Sequence, residues 1–105
     1  MLDSGMATAA MNDLEAAKRI VLDRLASHPA RVYLFGSQAA GSARRGSDID
    51  IGVLPIDPLP DGLLFEIREA LEGSRILSTV DLVDMSRIEP AFRQKIEREG
   101  LPWRT

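Results

Sequence analysis

At 105 residues, with 45% hydrophobic and 28% charged residues, the chain has the balance of one soluble globular domain rather than a disordered one. Its net charge of −3 and pI near 5.1 count against broad electrostatic binding of nucleic acid. The absence of cysteine excludes disulfides, zinc–thiolate sites and thiol nucleophiles; one histidine, His28, gives little to a triad or a histidine metal centre, and carboxylates remain the plentiful ligand, suited to magnesium.

No segment reaches the roughly 18 apolar residues of a membrane span. The N-terminus has no basic region ahead of an apolar stretch, so no secretory signal and no membrane partner are expected, and the expected location is cytoplasmic. Residues 1–11 are expected to be unstructured and residues 12–105 to form a single domain. Asn12 followed by Glu15 reads as a capping box, after which Leu14, Ala17, Val21 and Leu25 recur at helical spacing up to Pro29. The run Arg31–Phe35 is β-prone and is cut off by Gly36. Residues 37–43 are small and polar and suit a short helix, and Arg44-Arg45-Gly46 reads as a turn.

From Ser47 to Leu54 the chain alternates, with Asp48 and Asp50 on one face and Ile49, Ile51 and Val53 on the other. Pro55, Pro58 and Pro60 make a stiff loop. Asp61 is positioned to cap a helix carrying Leu64, Ile67 and Leu71 and closed by Gly73. Ser78–Asp84 is a second alternating strand, with Val80 and Leu82 opposed to Asp81 and Val83. Ser86 or Glu89 opens a last helix with Pro90 in its first turn, Ile88, Phe92 and Ile96 as its stripe, and Gly100 as its end. Leu101 and Trp103 are expected to be a loose tail or to pack on a partner. The implied class is α/β (α+β), a small mixed sheet flanked by helices, with its carboxylates on the face opposite the core.

Three features converge on one chemistry. Gly36-Ser37 lies where a strand gives way to a helix, so backbone N–H groups and a hydroxyl are available to cradle an anion. Asp48 and Asp50 share a strand face and are spaced to hold one divalent cation. Asp81 joins them if the two alternating strands are neighbours with their apolar faces aligned. Three carboxylates with a magnesium ion would hold a nucleoside triphosphate for in-line transfer. Each piece alone has an ordinary explanation: solvent-facing strand acids, a turn glycine, an acid at a strand end.

The run LFGSQAAGSARRGSDIDIGV, with the later VDLVD, resembles the DNA polymerase β-like nucleotidyltransferase superfamily and, within it, the minimal nucleotidyltransferase (MNT) proteins. The resemblance spans about Arg31 to Gly100. It implies magnesium-dependent transfer of AMP from ATP to a hydroxyl, with Asp48, Asp50 and Asp81 binding metal, Asp81 helping to deprotonate the acceptor, and Gly36 and Ser37 holding the triphosphate. Many relatives carry Ala-Arg-Gly where this chain has Ala39-Ala40-Gly41, so a basic side chain beside the phosphates is missing unless Arg44 or Arg45 replaces it. The small MNT proteins resemble antitoxins of HEPN/MNT pairs, which implies a HEPN toxin partner, a hetero-oligomer and a tyrosine acceptor. Two alternatives stay open: an antitoxin that acts by binding alone, and the catalytic subunit of a small-molecule nucleotidyltransferase.

Overall fold

The computed structural model describes residues 4–41 and 48–105, with side chains from Asp13 onward. The elements in order are α1 (Ser4–Arg24), β1 (Ala30–Phe35), α2 (Ser37–Ala40), β2 (Ile49–Pro55), α3 (Leu63–Glu72), β3 (Val80–Asp84), α4 (Pro90–Glu99) and β4 (Leu101–Arg104). The expected alternation of helices and strands is present, with one strand added at the end.

The four strands form one sheet in the order β3-β2-β1-β4. β1 pairs antiparallel with β2 and β4, and β2 pairs parallel with β3. Parallel neighbours need a long crossover, and the proline loop with α3 supplies it. The period-two alternation then sorts the side chains. Val32, Leu34, Ile49, Ile51, Val53 and Leu82 share one face and are buried against Ala17, Val21 and Leu25 of α1 and Ile67 and Leu71 of α3. Asp13 ties α1 to the lead-in of β3 by accepting from the Leu77 and Ser78 N–H groups, each at 3.2 Å. Among the described residues no helix is long and apolar enough to cross a membrane.

Four expectations are corrected. The first helix begins at Ser4, so Asn12 lies inside it and residues from Ser4 to Met11 have helical backbone. Ala7, Ala9, Ala10 and the flanking methionines are strong helix formers and carry the helix back past the capping signal. Asp61 does not cap α3; Gly62 occupies that position with φ 83° and no side-chain bond is made there. The expected turn at Arg44-Arg45-Gly46, the end of the expected short helix and the expected strand start at Ser47 lie outside the described residues.

The third correction concerns the tail. Leu101–Arg104 is an edge strand on β1, and Trp103 packs half-buried against the main core. Arg104 donates to the carbonyls of Leu25 (2.7 Å) and His28 (3.0 Å), satisfying groups just past the end of α1. The fourth correction is that the sheet is apolar on both faces. Beneath α4, Tyr33, Met85 and Ile96 are buried as a second cluster, joined by Phe35, Leu54 and Ile88. The carboxylate face is therefore open only where α4 does not cover it.

Candidate functional site

The register of the sheet positions the acids. Asp50 is opposite Asp81 in the parallel β2–β3 pair and opposite Phe35 in the antiparallel β1–β2 pair. Directly opposed residues project to the same face, so Asp50 and Asp81 share the side of the sheet that carries α4. Asp48 immediately precedes β2, on the same side by period two, and is exposed. Asp50 is the half-buried member of the group. Its carboxyl is held above the usual 3.8, chiefly by burial and then by the charges of Asp81 and Asp48. The part of that shift that comes from two like-charged neighbours, second to burial, is what a bound cation would relieve. Among the described residues no group of three acidic or imidazole side chains is gathered closely enough to hold a metal ion.

The chain leaving β1 passes over Asp50. Gly36 has φ 76° and ψ −155°, a region open essentially to glycine alone. A Cβ at Gly36 would run into Asp50 Oδ2. The absence of a side chain is thus what lets this backbone lie against the carboxylate. Ser37 opens α2 directly afterwards. α2 is a single turn, closed by the Ala40 N–H to the Gly36 carbonyl (3.1 Å) and ended by Gly41 at φ 76°. The first N–H groups of such a turn have no acceptor within the helix.

A cavity of about 380 Å³ opens beside this loop, between α2 and α4, lined by Phe35, Gly36, Ala39, Ala40, Phe92, Lys95, Ile96, Glu99 and Gly100. The rings of Phe35 and Phe92 meet edge to face at 5.8 Å. Sequence reasoning missed Phe92 and Lys95, because on a helix with a short apolar stripe they read as core and solvated surface. A larger cavity of about 680 Å³ lies by the proline loop, among Pro58, Leu59, Phe65, Arg68 and Arg87; neither cavity is lined by Asp48, Asp50 or Asp81, and the smaller one meets the site at Gly36. Asp84, beside the larger cavity, accepts from the Ser86 N–H (2.9 Å) and hydroxyl (2.6 Å) and pairs with Arg87 at 3.5 Å, a turn-forming role. The basic replacement expected from Arg44 or Arg45 lies outside the described residues.

Comparison with known proteins agrees with this arrangement. The family described as "Polymerase beta, Nucleotidyltransferase" matches residues 20–102. The protein adenylyltransferase MntA of Shewanella oneidensis is 39% identical over 69 residues, covering 66% of this chain and 49% of that protein. The chain spans about half the length of the curated relatives it matches (49% and 59%). Among solved structures, a toxin–antitoxin crystal structure with AMP-PNP is similar at a TM-score of 0.63 and 31% identity, over 82% of this chain and 71% of that one. A tri-AMPylated Shewanella oneidensis HEPN toxin in complex with MNT antitoxin is similar at a TM-score of 0.57 and 27% identity, over 85% and 70%. With four-fifths of its length matched by the family and the glycine–serine turn set against paired strand aspartates, this chain belongs to the polymerase β nucleotidyltransferase family.

Proposed function

We propose that the chain, as a single domain over residues 12–105, transfers AMP from ATP to a tyrosine hydroxyl of a HEPN toxin partner and so acts as its antitoxin. The observation that carries the reading is the register pair Asp50–Asp81, with Gly36 backbone pressed on Asp50. The relatives supply the substrate class: an adenylyltransferase by name, and a complex holding an AMP-modified HEPN toxin.

The donor set is all oxygen on one sheet face, which fits a hard cation such as magnesium. Asp48, Asp50 and Asp81 would hold it, and when bound it offsets the charge of the triphosphate and of the phosphoryl group in transit. The remaining work falls to the chain. The N–H groups at Gly36-Ser37 and the Ser37 hydroxyl hold the triphosphate. Asp81, on β3 at the exposed side, accepts the proton of the acceptor hydroxyl. That oxygen attacks the α-phosphorus, the bond to the β-phosphate oxygen breaks, and pyrophosphate leaves.

The test is incubation with labelled ATP, magnesium and the HEPN partner. Label is expected on the partner, with transfer abolished in Asp48→Asn, Asp50→Asn and Asp81→Asn. Ser37→Ala is expected to weaken transfer less, since backbone donors remain. Transfer at the wild-type rate by Asp50→Asn overturns the enzymatic reading.

A further inference from the structure

We infer that Lys95 is a nucleotide-binding residue whose ammonium group contacts the phosphates of the bound nucleoside triphosphate, an inference that rests on the nucleotidyltransferase reading above. The cavity between α2 and α4 is where the two arguments meet. One wall is Gly36, the residue whose backbone lies on the Asp50 carboxylate, so the cavity begins at the proposed triphosphate cradle. The α2 turn contributes only Ala39 and Ala40 to that wall, and neither carries charge. The opposite wall comes from α4, and its cation is Lys95.

The place of Lys95 along the cavity is set by its neighbour. Ile96 is buried in the second core cluster, so the register of α4 on the sheet is set and Lys95 is delivered to the cavity from a rigid element. Among the described residues Lys95 forms no ion pair. The cavity also holds a carboxylate, Glu99, one turn later, but that acid pairs with Arg98 at 3.6 Å. Lys95 and Glu99 line the same wall, and among the described residues no ion pair joins them. A triphosphate carries more negative charge than one divalent ion offsets, and the solvent-exposed Lys95 ammonium can add a charge-assisted contact to the rest. The flexible stem of lysine suits a point contact with a phosphate oxygen.

The experiment is calorimetric titration of the whole protein with AMP-PNP and magnesium. Lys95→Ala is expected to bind about tenfold more weakly, equivalent to ~1.4 kcal/mol, while melting as wild type does without nucleotide. Lys95→Arg should restore affinity, and Glu99→Gln should leave it unchanged or raise it. With the partner present, Lys95→Ala should raise KM for ATP and leave KM for the partner unaltered. Wild-type affinity in Lys95→Ala overturns the role of Lys95 and leaves the nucleotidyltransferase reading standing. Failure of the folded wild-type protein to bind AMP-PNP at all overturns both.

Discussion

Asp50 is the residue at which the cost of the site is concentrated. Burial, then Asp81, then Asp48 raise its pKa above 3.8. The folded state therefore binds this proton more tightly than the unfolded state does. The stabilising contribution is full below the unfolded pKa and is lost as pH rises through the higher folded value. In chelator, Asp50→Asn should melt above wild type at neutral pH, and the gap should narrow as pH falls through the raised folded pKa and close below the unfolded value of about 3.8. Thermal melts of both proteins across acid to neutral pH check this; parallel curves would show that neither burial nor the neighbouring acids disfavour the ionised Asp50. Gly36 is the second residue of consequence. Gly36→Ala forces a side chain into a glycine-only conformation and against Asp50, and should cost ~1–3 kcal/mol. It should also abolish AMP-PNP binding, read by the same calorimetry.

At the scale of elements, Ile96 and Phe92 anchor α4 on the sheet, and glycines permit the close approach. A Cβ on Gly100 would stand 2.6 Å from the Ile96 carbonyl oxygen and 3.1 Å from that of Leu34. Both are backbone atoms and cannot swing aside, so Gly100→Ala should destabilise by ~1–3 kcal/mol and loosen both α4 and β4. At Gly52 the obstacle is the Met85 side chain, its sulfur at 2.7 Å and Cγ at 3.1 Å, which is buried but has more rotamers to yield with than backbone does. Gly52→Ala should therefore cost less than Gly100→Ala. Ile96→Ala removes the centre of the second cluster and should cost ~2–5 kcal/mol. Chemical denaturation of the three variants ranks them; equal stability of Gly100→Ala and wild type would contradict the close approach of α4.

For the whole molecule, the proposed catalysis and partner binding are expected to be separable. The aspartates occupy the end of the sheet near α2, whereas Phe65 and Ile56, 61% and 59% exposed, lie around the proline loop. Surfaces that do not touch the aspartates remain intact in an Asp48→Asn/Asp50→Asn double variant. That variant is expected to co-purify with the HEPN partner yet fail to protect cells from it. Protection at the wild-type level would instead establish neutralisation by binding alone.

Much of this was legible in the chain itself because it is local chemistry. Period two sets Asp48 and Asp50 against Ile49, Ile51 and Val53, and Asp81 against Val80 and Leu82, whatever the strands pair with. Gly36 before Ser37 marks the turn, and the helical stripe Ala17, Val21, Leu25 is buried as its spacing requires. Long-range pairing is what no local pattern encodes. Only the parallel register of β2 and β3 puts Asp50 opposite Asp81. Leu101–Arg104, short and interrupted by Pro102, has no strand signal and becomes one because β1 offers an unpaired edge. Lys95 acquires a role only because Ile96 and Gly100 seat α4 beside Gly36. The sequence by itself determined which residues can do the chemistry; the packing of α4 and the order of the strands decided which of them meet.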